Sequence, residues 1–169
     1  MGFPEDIIAL KECKEIRTFV ETGSGVGLIT ERIGALFENV IAIEKSEKLL
    51  NIAKNYVHNL DNIKWVLGDS EEVLPSVIEG NKDSIGFYLN ACHCEPIKYY
   101  GDGELSLIES EKPKEGTSAL ERELKIILNC SSDMIIVVPE TIEKEKFTIF
   151  GDRLIRHEIV DGHTYVVVK

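Results

Sequence analysis

The chain of 169 residues has the length of a single domain, and the 43% of residues that are hydrophobic suffice for one buried core. Lysine and arginine number 19 against 30 acidic residues, a formal net charge of −11, and this balance predicts no nucleic-acid partner because such binding is driven by cationic side chains. No apolar run reaches the ~18 residues of a membrane span and no signal peptide is apparent, so we expect one cytoplasmic domain, 1–169, without membrane association.

Short apolar runs alternate with amphipathic stretches in the first half of the chain. A predicted helix over 4–13 is followed by a β-type run at 18–20, a glycine-rich turn and residues at helical spacing. Runs at 40–43 and 63–67 are each followed by another amphipathic stretch. Pro75, in the last of these stretches, is expected in the first turn of its helix, where proline is best tolerated. The predicted order is β-α-β-α-β-α.

The second half begins less regularly. A fourth apolar run at 85–89 leads into the segment 90–117, which we expect to be an irregular loop that contacts the substrate. Ser118 with Glu121 three residues later indicates a helix N-terminus. The continuously apolar run 134–138 is typical of a strand buried on both faces of a parallel sheet.

The C-terminal end predicts a hairpin, because Asp161-Gly162 separates two β-type segments. Together with the alternation upstream, it predicts an α/β fold. We expect a Rossmann-like three-layer sandwich whose mostly parallel seven-stranded sheet ends in an antiparallel hairpin.

A glycine turn between a strand and a helix is the most informative motif, in FVETGSGVGLITERIG. This order brings backbone N–H groups and the positive end of a helix to a ligand. Gly23, Gly25 and Gly27 have the spacing GxGxG. A dinucleotide site requires GxGxxG, and Leu28 stands where the third glycine would be. An oxidoreductase that uses NAD or NADP is therefore the less well supported alternative.

Glu21 precedes the turn, and with this acid the chain resembles the class I S-adenosylmethionine-dependent methyltransferases. The resemblance implies S-adenosyl-L-methionine as the cofactor, whose ammonium, carboxylate and sulfonium suit an acid beside backbone amides. It also implies that Glu44, in VIAIEKS, accepts hydrogen bonds from the ribose, and that Asp69, in WVLGDSEE, lies beside the adenine amino group. In isolation, Glu44 could be a solvated residue and Asp69 a helix N-cap. The predicted cofactor-binding residues are Glu21, Thr22, Gly23, Ser24, Gly25, Gly27, Glu44, Lys45, Gly68, Asp69, Ser70 and Asn90.

The segment GFYLNACHCEP resembles the macrocin O-methyltransferase group, in which an apolar strand ends in Leu-Asp-Ala-His. Asn90 stands where that group has aspartate, and a neutral amide is a poor ligand for a hard cation, so we predict no bound metal. Asn90 would orient the substrate or the amino group of the cofactor. His93 is the predicted general base, since its ordinary pKa of ~6.5 suits proton transfer at neutral pH; the alternative is a loop histidine without a catalytic task. Cys92-His93-Cys94 lacks the second ligand pair of a structural zinc site.

The resemblance implies transfer of a methyl group to an O or N nucleophile. We expect a small-molecule acceptor, with Asn90 and His93 as the catalytic residues. Such a transfer is an in-line displacement that depends mainly on positioning the nucleophile and excluding water. The alternative that Asn90 and the CHC segment favour is a cofactor-binding protein without transfer activity, a sensor or an assembly partner. A chain of this size is also compatible with a homodimer.

Overall fold

The computed structural model describes residues 15–91, 97–101, 104–108 and 118–169. The helix predicted over 4–13 lies outside these ranges. In chain order the elements are β1 (Thr18–Thr22), α1 (Leu28–Leu36), β2 (Asn39–Glu44), α2 (Glu47–Tyr56), β3 (Ile63–Leu67), α3 (Ser70–Gly80), β4 (Ile85–Leu89), β5 (Ile97–Gly101), β6 (Glu104–Ile108), α4 (Ala119–Ile127), β7 (Met134–Val138), a 3-10 helical segment (Lys144–Arg153), β8 (Leu154–Val160) and β9 (His163–Val168).

A seven-stranded sheet with the order β3-β2-β1-β4-β7-β9-β8 forms the centre of the fold. Neighbours from β3 to β7 are parallel, and β9 is antiparallel to both β7 and β8. The turn between β8 and β9 has positive φ at Asp161 (49°) and Gly162 (78°), as the tight hairpin turn requires. The predicted fold is therefore confirmed, including its terminal hairpin.

Alternate residues of the central strands bury apolar side chains on both faces of the sheet. One face packs Phe19 and Tyr88 against Ile33 of α1. The other face packs Phe87 against Leu74 of α3 and against α4 and the 3-10 segment. The sheet thus lies between two helical layers, which accounts for the continuously apolar β4 and β7. Within the described ranges, no helix is both long and apolar enough to cross a membrane.

Pro75 lies in the interior of α3, and its predicted place in the first helical turn was wrong. The helix begins earlier because the side chain of Asp69 caps it, accepting a hydrogen bond from the backbone N–H of Glu71 at 3.1 Å. Proline has no N–H to donate to the carbonyl of Glu71 four residues back, so α3 lacks that one bond.

The segment 90–117 is not irregular throughout, in contrast to our expectation. Strands β5 and β6 within it form an antiparallel pair, with Ile97 opposite Ile108. The sequence YYGDGELSLI has the residues Gly-Asp-Gly between β-type residues, which is a hairpin signal. The many charged residues and glycines on either side of this stretch are typical of an irregular loop.

Candidate functional site

The glycine turn joins β1 to α1 with three residues in the left-handed region: Gly23 (φ 68°), Gly25 (57°) and Gly27 (91°). The backbone N–H groups of Gly23 and Ser24 donate to the carbonyl of Ile43 in β2, at 2.9 and 3.1 Å. The N–H of Gly27 donates to the carbonyl of Ser24 at 3.0 Å. The turn is therefore hydrogen-bonded both to β2 and within itself.

Glu44 is buried at the end of β2, and both of its carboxylate oxygens accept backbone hydrogen bonds. Oε2 accepts from the N–H of Gly25 at 2.9 Å, and Oε1 accepts from the N–H of Ser46 at 2.8 Å. The side chain thus ties the glycine turn to the connection between β2 and α2. A carboxylate oxygen can accept more than one hydrogen bond, so the ribose contact stays compatible with this geometry and stays a prediction.

Glu21 is fully buried beneath the turn. Its Oε2 accepts a hydrogen bond from the hydroxyl of Thr30 in α1 at 2.5 Å, whereas its Oε1 has no hydrogen-bond partner in the part of the chain that the structure describes. Burial raises the pKa of Glu21 to about 7; the bond from Thr30 opposes this shift, and the charge of Glu44 adds to it. The acid that precedes the turn is therefore a group that can hold a proton near neutral pH.

Asn90 closes the site from the end of β4. Its backbone N–H donates to the carbonyl oxygen and to Oγ1 of Thr22, at 3.1 and 3.2 Å, and its side-chain amide donates to the carbonyl of Gly23 at 3.3 Å. The ends of β1 and β4 are thereby held together. The predicted base, His93, lies outside the described residues, as do Cys92 and Cys94.

The connection between β3 and α3 adds a further acid. Asp69 is the N-cap of α3, and its Oδ2 lies 3.6 Å from Nζ of Lys45. The N–H of Gly68 donates to the carbonyl of Glu44 at 3.0 Å, which fixes this connection beside the previous one. The capping role that the sequence allowed for Asp69 is present, while its place beside adenine stays a prediction.

Two buried polar residues of the site were missed by the sequence analysis. The Thr30 hydroxyl donates a hydrogen bond to Glu21, and the carboxylate of Glu123 in α4 lies beside the hydroxyls of Ser70 and Thr22. Both lie on apolar helical stripes, since Thr30 precedes Ile33 by three residues and Glu123 precedes Ile127 by four. A polar residue inside such a stripe is the signal that could have found them.

The predicted cofactor residues meet at one edge of the sheet because β1, β2, β3 and β4 are adjacent and parallel, and we call this edge the crevice. Their direct contacts with a cofactor stay predictions. In the part of the chain that the structure describes, no three His, Cys, Asp or Glu side chains are placed to hold a metal ion. The residues brought together at the crevice are Glu21, Thr22, Gly23, Ser24, Gly25, Gly27, Glu44, Lys45, Gly68, Asp69, Ser70 and Asn90.

Replacing Glu21 with glutamine should flatten the pH dependence of stability. Because the pKa of the folded carboxyl group, about 7, exceeds its ordinary 4.5, the folded state retains a proton that the unfolded chain loses. The free energy of unfolding contributed by this group is therefore highest below pH 4.5 and falls as the pH rises through 7. Between pH 5 and pH 8 we expect the free energy of unfolding, measured by urea denaturation, to fall by about 2 to 3 kcal/mol more in the wild type than in Glu21→Gln. Identical pH slopes would contradict this assignment.

The first half of the chain is similar in sequence to known proteins. The model of the ribosomal RNA adenine dimethylase family matches residues 5–87. A probable ribosomal RNA small subunit methyltransferase A of Methanosarcina acetivorans is 29% identical over 73 residues, 43% of this chain and 27% of that protein. The protein of the same name from Methanosarcina barkeri is 32% identical over 72 residues, 43% of this chain and 25% of that protein. The matched segment spans about a quarter of the length of these relatives.

Solved structures share the fold. A methyltransferase from Aquifex aeolicus, described as SAM dependent, aligns with a TM-score of 0.56 at 15% identity, covering 95% of this chain and 88% of that one. The 23S rRNA methyltransferase ErmE aligns with a TM-score of 0.60 at 12% identity, covering 95% of this chain and 65% of that one. The chain has the class I S-adenosylmethionine-dependent methyltransferase fold, as its sequence predicted. Within that class, its first half is similar to the ribosomal RNA adenine dimethylases.

These similarities correct the expectation that nucleic acid is not a partner. That expectation came from the net charge of −11, whereas the family model and both relatives are named for methylation of ribosomal RNA. The prediction was wrong because net charge is a sum over the whole chain. Contact with a nucleic acid depends instead on where the cationic groups lie and on recognition of the base at the site.

Proposed function

We propose that the protein is an S-adenosylmethionine-dependent methyltransferase whose acceptor is a nitrogen of an RNA base. The observation that carries this proposal is the overlap between the family match and the crevice. Residues 5–87 contain the glycine turn, Glu44 and Asp69. The similarity to ribosomal RNA adenine dimethylases thus falls on the part of the chain that would hold the cofactor.

The chemistry of the turn fits an adenosyl cofactor better than a dinucleotide. The N–H groups of Gly23, Ser24, Gly25 and Gly27 are already paired within the protein, so few donors are left for a pyrophosphate. Nearby carboxylates such as Glu44 would also repel phosphates while attracting an ammonium or a sulfonium. Buried oxygens such as Ser24 Oγ, which have no hydrogen-bond partner within the described ranges, provide further polar contacts for a ligand.

Catalysis would depend on how the chain holds the acceptor. When bound, S-adenosylmethionine supplies the methyl group. The hydrogen bonds between Asn90 and Thr22 fix the ends of β1 and β4 relative to each other. A fixed sheet edge would help to hold the acceptor nitrogen in line with the methyl group. Asn90 as the orienting residue and His93 as the base that takes the proton of the amino group are part of this proposal.

A cofactor-binding protein without transfer activity is the second candidate. The side-chain amide of Asn90 is committed to the carbonyl of Gly23, and an amide has no basic group with which to accept a proton. The family match also ends at residue 87, before Asn90 and the segment expected to contact the acceptor. The matched residues therefore include the predicted cofactor residues Glu21, Glu44 and Asp69 but none of the segment predicted to contact the acceptor.

Transfer of a radioactive methyl group from S-adenosylmethionine tests the acceptor. The wild type is incubated with unmodified small-subunit ribosomal RNA made by transcription, or with a small-molecule cell extract, and Gly23→Ala is the inactive control. We expect label in RNA that ribonuclease releases as methylated adenosine. Label confined to the small-molecule fraction would contradict the RNA acceptor, and cofactor binding without any transfer would favour the second candidate.

A further inference from the structure

Glu123 of α4 is a buried carboxylate. It is not among the predicted site residues, and it lies outside the family match, which ends at residue 87. Glu123 is only 1% exposed, and its Oε1 has no hydrogen-bond partner among the described residues. The charges that act on it from described residues are those of Glu71 and Asp69, both negative. The neighbouring Arg122 is directed to Glu71 instead, with Nε 2.6 Å from the carboxylate.

Two hydroxyl groups beside Glu123 place its carboxylate at the crevice. They belong to Thr22 at the end of β1 and to Ser70 at the start of α3. The Thr22 hydroxyl accepts from the N–H of Asn90 at 3.2 Å, so its own proton is available to a carboxylate beside it. Glu123 therefore reaches, from the α4 layer, the same strand ends that the glycine turn covers.

A buried carboxylate is costly to keep charged when no cation of the described residues pairs with it. Burial raises the pKa of Glu123 to about 7, while the hydroxyls of Ser70 and Thr22 favour its charged form. Glu44, in contrast, has both oxygens occupied by backbone N–H groups. The unfilled oxygen of Glu123 is thus an acceptor at the crevice that a ligand with a hydrogen-bond donor could fill.

We propose that Glu123 is a further ligand-binding residue of the crevice, whose Oε1 accepts a hydrogen bond from an amino group of a bound adenosyl compound. This inference rests on the proposed function. Adenosyl compounds of this kind have two such groups, the adenine amine and the ammonium of the amino-acid part. Both supply the N–H donor that the carboxylate lacks, and the test separates them.

Calorimetric titration at pH 8 of S-adenosylhomocysteine, which has both amino groups, and of 5′-methylthioadenosine, which has only the adenine amine, tests the inference. Glu123→Gln should weaken the binding of S-adenosylhomocysteine about 10- to 100-fold. An unchanged affinity for 5′-methylthioadenosine would then assign the ammonium, and a parallel loss would assign the adenine amine. Glu121→Gln is the matched control: Glu121 lies on the same helix and pairs with Lys146, and its loss should change neither affinity by more than about twofold.

Glu123→Asp retains the charge but retracts the carboxylate, so it should also weaken S-adenosylhomocysteine binding, and it carries the test if the glutamine variant does not fold. Wild-type affinity of the folded variants for both compounds would overturn the inference while leaving the proposed function intact. A wild type that binds neither compound would overturn the proposed function itself.

Discussion

Replacing Gly23 with alanine should abolish the binding of S-adenosylhomocysteine and destabilise the protein by about 2 to 4 kcal/mol. Gly23 has φ 68°, and a Cβ atom added there would lie 2.6 Å from the carbonyl oxygen of Asn90 and 3.0 Å from Cα of Ala91. These are backbone atoms at the end of β4, so they cannot rotate aside as a side chain would. Either the glycine turn or the end of β4 must move, and both form the crevice.

Gly80→Ala is the matched control for this substitution. Gly80 is the last residue of α3, and a Cβ atom added there has nothing within 4 Å. Alanine at this helical position should leave ligand binding unchanged and raise stability by up to about 1 kcal/mol. Urea denaturation and calorimetry of both variants make the comparison. Gly23→Ala with wild-type affinity would show that the close contact with Asn90 does not shape the ligand site.

Replacing Glu44 with alanine should weaken the binding of S-adenosylhomocysteine about 100-fold or more and lower stability by about 2 to 4 kcal/mol. The substitution leaves the partly buried N–H groups of Gly25 and Ser46 without their acceptors, at about 1 to 2 kcal/mol for each. It also removes the carboxylate proposed to hold the ribose. The loss of the anchor displaces the glycine turn, and the loss of the ribose contact removes a direct interaction with the ligand. The affinity should therefore fall by more than the loss of folding stability alone would cause.

Glu44→Gln separates the two roles of this side chain. Glutamine keeps one acceptor oxygen but turns an NH₂ group toward one of the two backbone donors, so we expect losses intermediate between wild type and Glu44→Ala. Glu47→Ala, at an exposed position three residues later, should match the wild type in both stability and affinity. An affinity of Glu44→Ala within about twofold of the wild type would contradict both the anchoring of the turn and the ribose contact.

Local pattern was enough to predict the sheet and its helices, because each strand is continuously or alternately apolar and each connection has its own turn residues. The parallel order from β3 to β7 follows from the repeated β-α unit. The hairpin at Asp161-Gly162 followed from two residues suited to positive φ. The glycine turn and the acids Glu21 and Glu44 could be located because strand ends in such a sheet converge.

Contacts between distant segments could not be predicted in the same way. Nothing in the local sequence indicates that Glu44 accepts from Gly25, 19 residues earlier, or that Glu123 reaches Thr22 across the sheet edge. Gly86 is a further case, since a Cβ atom there would lie 2.2 Å from the ring of Phe19 on the adjacent strand. These residues are determined by contacts between segments that are distant in the sequence, and the periodicity of a single segment carries no information about such contacts.

Binding of an adenosyl cofactor at the carboxyl edge of the sheet is tested most directly by calorimetric titration of the wild type with S-adenosylhomocysteine and, separately, with NAD. Saturating binding of S-adenosylhomocysteine at one site per chain, with no detectable binding of NAD, is the predicted result. At a concentration 100 times its dissociation constant, the ligand should also stabilise the folded chain by about 2.7 kcal/mol. Binding of NAD without binding of S-adenosylhomocysteine would contradict the assignment of the crevice.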